Sequence, residues 1–282
     1  MNIIFRSCLM ALLWVLSLSA CAEEEVRQYA ETHSWVIAAS VGIGKLQNPL
    51  TEQGDIPLYV LPDIRYYSEK FSIENLGLSY AILEKKGIVI ELLGEQNFDG
   101  LYFPGEHRTG YSALAGAHPA KPWDLLATSP VKPEPLAPSH RSMSYLAGIE
   151  VRKYGWLDTF FSVQKDISNV HQGYEAKLRL IKPFTLGKWQ MSSEASAIYK
   201  SGKLANYYYG VSEKDTFNTA LYYQAAATVN YYLALNLAYP ITDHLAMVAS
   251  VQQLFIKGDI ANSPVVSNDS PFGFFLGMKY VL

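Results

Sequence analysis

Alternating apolar and polar residues are the clearest pattern in this chain. In Ser142–Tyr154 the odd-numbered residues from Met143 to Val151 are apolar, and serine, glycine and charged residues occupy most positions between them. Gly173–Lys182 and Leu186–Tyr199 alternate in the same way. A period of two places successive side chains on opposite faces of a β-strand, so the pattern predicts long strands with one apolar face.

Along the whole chain this pattern predicts eleven strands. They are Ser34–Gly44, Ile56–Ser68, Phe71–Leu83, Gly87–Phe98, Ser142–Tyr154, Trp156–Asp166, Gly173–Lys182, Leu186–Tyr199, Ala227–Tyr239, His244–Lys257 and Pro271–Leu282. A soluble β-sandwich alternates too, but strands of about eleven residues suit a tilted crossing of a membrane. Because bacterial single-chain barrels have an even strand number, we expect an all-β transmembrane antiparallel β-barrel of about 10–12 strands, either ten or twelve.

The connections between the predicted strands fall into two groups. Short turns are predicted at Glu84–Gly87, Tyr154–Gly155, Pro183–Thr185 and Pro240–Asp243, and long connections at residues 99–141, 201–225 and 258–270. Counted back from the C-terminus, all the long connections leave one side of the barrel and all the short turns leave the other. Outer-membrane barrels have short periplasmic turns and longer extracellular loops, so the long connections are predicted to be extracellular.

The N-terminus has the features of an export signal. Arg6 supplies a positive charge, Leu9–Leu18 is an apolar stretch too short to span a bilayer, and Ala20-Cys21-Ala22 fits a signal-peptidase site. This predicts a signal peptide over residues 1–22 and a barrel domain over residues 23–282. Leu18-Ser19-Ala20-Cys21 also resembles a lipoprotein site, which leaves lipidation of Cys21 as the alternative.

Composition agrees with an exported membrane barrel and excludes other classes. The chain of 282 residues carries 23 basic and 26 acidic residues, so it lacks the positive surface that nucleic-acid binding requires. Only 17% of its residues are charged, while it contains 20 tyrosines and 12 phenylalanines. Its two cysteines, Cys8 and Cys21, both lie in the predicted signal peptide, so no disulfide is expected to hold the barrel together.

Motifs for catalysis, cofactors and metals are missing from the sequence. Gly42-x-Gly44 is followed by no helical pattern, which argues against a phosphate-binding loop. His107, His118 and His140 share one proline-rich connection, and we interpret them as solvated loop residues. Ser139 and His140 are adjacent and point apart on extended chain, which makes a poor catalytic dyad. We therefore predict no catalytic residue, no cofactor and no metal.

Six charged residues are predicted to face the lumen of the barrel. They are Glu150, Arg152, Glu175, Lys177, Arg179 and Glu194. Their mixed signs favour a packed network of ion pairs, because side chains can largely fill a lumen of this size. The alternative is that they line a narrow pore.

Several sequence elements resemble those of the MipA/OmpV family of outer-membrane proteins. One element is Asn206–Ser212, which contains Tyr207, Tyr208, Gly210 and Val211 in a Y-Y-G-V-S pattern. A second is Asp259–Val266, in which Ser263 and Pro264 belong to an S-P-[IV]-V pattern. Weaker similarity is found at Pro62 and Tyr66, in Leu76–Tyr80, and in the final strand, Gly273–Tyr280. These motif residues suit loop architecture, with a partner-binding surface as the alternative.

The absence of catalytic motifs predicts a non-enzymatic barrel, and the resemblance places it in the outer membrane of a Gram-negative cell, in contact with lipid. The apolar residues that alternate from Phe274 to Leu282 are typical of the terminal strand that the barrel-assembly machinery recognises. The resemblance further implies a scaffolding protein that links a murein lytic transglycosylase to a bifunctional peptidoglycan synthase during cell-wall biogenesis. Two alternatives from other classes are a small-solute diffusion channel or uptake porin, and a surface adhesin or stress-response barrel that works through its long loops.

Overall fold

The computed structural model of the protein describes residues 33–104, 136 and 138–282. The predicted signal peptide, Cys21 and the loop histidines His107 and His118 lie outside the described residues, so what we expect of them stays a prediction. None of the helices in the described ranges is long and apolar enough to cross a membrane.

The described residues form twelve strands that close into one antiparallel barrel. The strands are β1 (Ser34–Leu46), β2 (Ile56–Tyr67), β3 (Phe71–Glu74), β4 (Gly77–Lys85), β5 (Ile88–Asn97), β6 (Ser144–Lys153), β7 (Asp158–Asp166), β8 (Tyr174–Leu186), β9 (Trp189–Lys200), β10 (Thr228–Pro240), β11 (Leu245–Phe255) and β12 (Phe272–Val281). Each strand pairs with its neighbours in sequence, and β1 pairs with β12 to close the sheet. The predicted barrel is therefore confirmed, with twelve as its strand number.

The twelfth strand comes from a hairpin that lies within one of the predicted strands. The segment Phe71–Leu83, predicted as one strand, is divided into β3 and β4 by a turn at Asn75 and Leu76. Asn75 adopts the left-handed conformation, with φ of 53°, which asparagine tolerates better than most residues. The apolar positions change here from odd numbers, at Phe71 and Ile73, to even numbers, at Leu76, Leu78 and Tyr80, and the prediction of one strand missed this shift.

One predicted turn is wrong. Pro183–Thr185 continues β8, and the chain instead reverses at Gly187, whose φ of 59° favours glycine. Leu186 and Trp189 pair on either side of this two-residue turn.

The two ends of the barrel differ in their connections. We call one end the loop end, because it holds the long connections β5–β6, β9–β10 and β11–β12. The opposite end is the turn end. It holds the C-terminus and the short turns at residues 86–87, 154–157, 187–188 and 241–244. Two helices lie in the long connections, α1 (Gly202–Tyr209) and α2 (Gly258–Ala261). Single turns of 3-10 helix, Asp99–Tyr102 and Thr219–Leu221, lie there as well.

The outer wall of the barrel is apolar. In β1, Val41 and Ile43 are 60% and 63% exposed, whereas Ala38 and Ser40 on the other face are buried. A soluble sandwich buries its apolar face, so this inverted arrangement indicates a wall that faces lipid.

Aromatic side chains pair on the outer wall toward the turn end. The ring centroids of Trp35 and Tyr66 are 4.8 Å apart, and those of Trp189 and Tyr239 are 5.0 Å apart. Such aromatic girdles mark the level of the membrane interface.

The seam between β1 and β12 depends on two glycines that face each other. Gly42 pairs with Gly277, and a Cβ atom on Gly42 would lie 2.1 Å from the carbonyl oxygen of Leu276. A Cβ atom on Gly277 would lie 2.5 Å from the carbonyl oxygen of Val41. Only glycine therefore permits the strands to approach this closely.

We expect Gly42→Ala and Gly277→Ala each to lower the free energy of unfolding by about 1–3 kcal/mol, because the added methyl group forces the seam apart. The measurement is urea unfolding, followed by the faster migration of the folded barrel in unheated SDS gels. Gly155→Ala is the control, since the nearest atom to its added Cβ would be 4.0 Å away. A Gly42→Ala barrel as stable as this control would contradict the account of the seam.

Candidate functional site

The described parts of the long connections pack together at the loop end of the barrel and form a cap with an apolar core. Tyr208 and Tyr209 of α1 are fully buried in it. Their neighbours come from every long connection and from the β1–β2 loop, and include Leu50, Phe103, Leu204, Ile256, Ile260 and Val265. Burial of this many apolar side chains outside the strands gives the loops a packed core of their own.

The two sequence motifs that resemble the family meet in this cap. The Ser263 hydroxyl donates to the carbonyl oxygen of Tyr209 at 2.5 Å, and Thr51 donates through its hydroxyl to the carbonyl oxygen of Pro264 at 3.4 Å. Val211 exchanges two backbone hydrogen bonds with Tyr223. A Cβ atom on Gly210 would lie 2.4 Å from the carbonyl oxygen of Asn206, so glycine is needed directly after α1.

The tyrosines of α1 fasten the cap to the barrel. The Tyr208 hydroxyl donates to the carbonyl oxygen of Ser142 at 3.0 Å, and Tyr207 accepts from the backbone N–H of the same residue at 3.0 Å. The Tyr209 hydroxyl donates to Asp99 at 3.1 Å. Burial, together with the charge of Asp99, raises the pKa of Tyr209 well above its usual value, so this hydroxyl keeps its proton.

A buried ion pair ties two of the long connections together. Arg141 lies just before β6, and its guanidinium contacts the carboxylate of Asp215 at 3.0 and 3.1 Å. Asp215 also accepts from the backbone N–H groups of Ser139 and Ser212, both at 3.0 Å. Burial raises the pKa of Asp215, but these hydrogen bonds and the charge of Arg141 outweigh it, so the pKa lies below its usual value.

Below the cap, one group of charged side chains lies on the inner face of β5–β8. Arg152 binds Glu91 at 2.5 Å and Glu150 at 2.7 Å, and Arg179 contacts the other oxygen of Glu150 at 3.3 Å. The ring of Phe160 lies under both guanidinium groups, 4.8 Å from that of Arg179 and 5.6 Å from that of Arg152. Glu150 and Glu91 are buried, so their charges depend on these partners.

A second group links the barrel interior to the cap. Lys177 binds Glu95 at 2.8 Å and Glu175 at 3.3 Å. Because β8 and β5 are not neighbours in the sheet, the Lys177–Glu95 contact crosses the interior. Lys200 binds Glu175 at 3.1 Å and also binds Asp99, which accepts from Tyr209 of the cap.

The structure thus brings five of the six charges predicted for the lumen into ion pairs. The sixth, Glu194, accepts from the Ser196 hydroxyl at 2.7 Å and lines an interior cavity of about 440 Å³. Sequence reasoning missed Arg141, Asp215, Asp99, Lys200 and Glu95. Arg141 and Asp215 are 74 residues apart, Glu95 and Lys177 are 82 apart, and Asp99 and Lys200 are 101 apart, so no local pattern connects these pairs.

Ser144, His171 and Asp166 form a buried group with the composition of a catalytic triad. Ser144 Oγ lies 3.0 Å from His171 Nε2, and Asp166 lies 3.8 Å from His171 Nδ1. However, His171 Nδ1 accepts the backbone N–H of Gly173 at 2.9 Å, so the ring proton resides on Nε2 and points at the serine. A histidine in this tautomer cannot take a proton from Ser144, which is the step a serine nucleophile needs.

Metal-ligating residues do not cluster in the described part of the chain. No group of three or more histidine, cysteine, aspartate or glutamate side chains there is placed to hold a metal ion. His140 is described, and the adjacent Ser139 hydroxyl donates to Asp215 at 2.7 Å.

We expect Asp215→Asn to loosen the cap while the barrel stays folded. Removing one partner of a buried ion pair costs about 3–5 kcal/mol, because the other charge is left unpaired. Limited trypsin digestion of the folded protein should cut after Arg141 or Lys214 faster in the variant. Asp243→Asn, in an exposed turn at the other end of the barrel, is the control, and equal digestion rates would contradict this role.

The same ion pair predicts a pH dependence. Because the pKa of Asp215 is lowered in the folded protein, its contribution to stability is complete above about pH 4 and is lost as the pH falls through the lowered value. Digestion of the wild-type cap by an acid-active protease should therefore accelerate only below about pH 4. In Asp215→Asn the digestion rate should not show this acceleration.

Comparisons with known proteins agree with this geometry. Over 237 residues the chain is 27% identical to the outer membrane protein OmpV of Vibrio cholerae, covering 84% of this chain and 83% of that protein. It is 25% identical over 240 residues to the outer membrane protein Omp26La of Vibrio anguillarum, covering 85% and 83%. Both relatives, like the barrel with its apolar wall, place this protein in the outer membrane.

Solved structures share only a general likeness with the chain. A bacterial polysaccharide outer membrane secretin is 9% identical, with a TM-score of 0.38 over 90% of this chain and 100% of that one. Outer membrane phospholipase A from Escherichia coli is 11% identical, with a TM-score of 0.33 over 92% and 94%. Likenesses at these scores carry no argument about function.

The family comparison covers most of the chain. The model described as "MltA-interacting protein MipA" matches residues 37–282, a range that runs from β1 through the cap to the last strand. The resemblance read from the motifs is thereby confirmed, and the protein belongs to the MipA family of outer-membrane barrels.

Proposed function

We propose that this protein is a non-enzymatic scaffold in the outer membrane that brings a murein lytic transglycosylase together with a bifunctional peptidoglycan synthase. The observation that carries the proposal is the family match over residues 37–282, because the family is described by its interaction with MltA. The synthase is the second partner that a scaffold for wall growth requires.

The shape of the barrel supports a role on the periplasmic side. Its loop end is covered by the cap, and its turn end faces the periplasm, where the cell wall lies. The family motif residues Tyr207, Tyr208, Gly210, Val211, Ser263 and Pro264 belong to the cap. Their contacts with one another support an architectural role for them, so we assign partner binding to the turn end.

The ion pairs inside the barrel and the cap at its loop end argue against a diffusion channel. Ion pairs cross the lumen between β5 and β8, and the cap covers its outer end. A solute passing along the axis would have to break buried ion pairs, each of which leaves an unpaired charge when separated. The tautomer of His171 likewise argues against hydrolysis by Ser144.

The turn end offers lysines as candidate contacts. Lys85 and Lys86 are exposed at the turn between β4 and β5. Exposed charges of this kind steer association and set its specificity. They are therefore the first positions to change in a test of partner binding.

The test is affinity capture with the folded, full-length mature protein in mild detergent, using extract of its own cell envelope and mass spectrometry of the retained proteins. We expect a lytic transglycosylase and a peptidoglycan synthase to be enriched over an unrelated barrel. The variant Lys85→Glu/Lys86→Glu should recover several-fold less of both, since the charge of the turn is reversed.

Lys214→Glu provides the matched control, because Lys214 is equally exposed but lies at the loop end. It should retain both partners at the wild-type level. Absence of both enzymes from the wild-type capture would contradict the scaffold proposal, and equal losses in the two variants would contradict the assignment to the turn end.

A further inference from the structure

The barrel wall has a gap above the β3–β4 hairpin. β3 has only four residues and pairs with β2 at Arg65–Tyr67 alone. On the other side, β4 reaches β5 only as far as the Leu78–Gly94 pair. Toward the loop end, Ile56–Asp63 of β2 and Glu95–Asn97 of β5 therefore have no strand between them among the described residues.

Two residues, Pro62 and Asn75, prevent another strand from pairing with the edge of β2 that faces this gap. Asn75 at the hairpin tip donates its backbone N–H to the carbonyl oxygen of Ile64 at 2.8 Å, and its side chain accepts the Ile64 N–H at 3.0 Å. Alternate residues of a strand direct their backbone groups to the same neighbour, so Pro62 turns its missing N–H toward the gap. Proline at an edge prevents a further strand from pairing there.

The hairpin tip is fixed on its far side as well. The Tyr145 hydroxyl of β6 donates to the carbonyl oxygen of Leu76 at 3.2 Å. Its ring passes over Gly94, where a Cβ atom would lie 3.0 Å from it. Both sides of the gap are thus held in place by specific contacts.

A cavity of about 520 Å³ fills the gap and passes through the wall. Its outer part is lined by apolar side chains, among them Val60, Pro62, Ile64, Leu76 and Leu78. Its inner part reaches Arg152 and Arg179 in the lumen. It shares Glu95, Gln96, Phe98 and Arg179 with the interior cavity of about 440 Å³.

Arg179 is the group at the inner end that can accept a further partner. Arg152 is engaged by two carboxylates, while Arg179 has one carboxylate contact of 3.3 Å and its side chain is 30% exposed. The two acids in the lining are already bonded, Glu74 to the Tyr67 hydroxyl and Glu95 to Lys177. The exposed part of the Arg179 side chain can therefore donate to an anion.

Together these features combine an apolar groove open to lipid with a partly exposed arginine at its inner end, beneath a cap that covers the axial entrance. We propose that the gap is a lateral binding site for a single-chain anionic amphiphile from the surrounding lipid. Its chain lies between β2 and the β3–β4 hairpin, and its carboxylate or phosphate binds Arg179. This site is separate from the turn end and does not depend on the scaffold proposal.

The test is native mass spectrometry of the folded barrel in a nonionic detergent, with palmitate, hexadecyl phosphate and hexadecanol as probes. We expect at least one of the two anions to bind, and hexadecanol to bind about tenfold more weakly, because it lacks the charge that Arg179 meets. The ratio of the affinities for palmitate and hexadecyl phosphate distinguishes a site for a carboxylate from a site for a phosphate.

Two pairs of variants locate the site. Arg179→Gln should lower the affinity for the bound anion about tenfold, and Lys45→Gln, which removes a charge at the loop-end rim, should not. Leu78→Ser should lower the affinity for the anion about fivefold, because Leu78 lines the groove. Leu92→Ser should leave the affinity unchanged. Leu92 is a matched control, since it lies on the same outer wall and is 49% exposed, compared with 43% for Leu78.

Equal binding of all three probes, or no binding of either anion, would overturn the proposal. So would an unchanged affinity in Arg179→Gln when the variant migrates as a folded barrel. If that variant does not fold, the comparison of Leu78→Ser with Leu92→Ser decides, and equal affinities in these two would overturn the lateral site.

Discussion

A strand that crosses lipid must find partners for all its backbone N–H and C=O groups in other strands, and the rest of this structure follows from that constraint. The chain meets it by pairing β1 with β12, at a seam where Gly42 and Gly277 allow the backbones to approach. Closure places one face of every strand toward lipid and the other inside. The residues therefore alternate along each strand between apolar side chains that face lipid and polar side chains that face the interior.

Once the barrel is closed, its polar face is enclosed, and each charge inside needs a partner. Arg152 and Arg179 share Glu150, while Lys177 and Lys200 share Glu175. The Lys200–Asp99–Tyr209 contacts then extend the network into the cap, so the interior and the loops stabilise each other. The backbone constraint is relaxed at the edge of β2, where Pro62 and Asn75 replace strand pairing.

The sequence predicts the barrel well because periodicity is a local property that each strand carries by itself. The prediction is wrong at the β3–β4 hairpin, where only Glu74 and Asn75 interrupt the alternation, and at Pro183, which stays within β8. The motif tyrosines could be identified as loop architecture, but the residues they pack against in the cap could not. Arg141 and Asp215 are 74 residues apart, so only the folded chain reveals them as partners.

The central claim of this account is that paired charges and the cap close the interior to axial passage. Single-channel recording of the purified barrel in a planar lipid bilayer tests it most directly, with a known porin to show that the membranes report conductance. The account predicts no steady open level for this protein at any applied voltage. A stable, reproducible conductance from the wild-type barrel would contradict it.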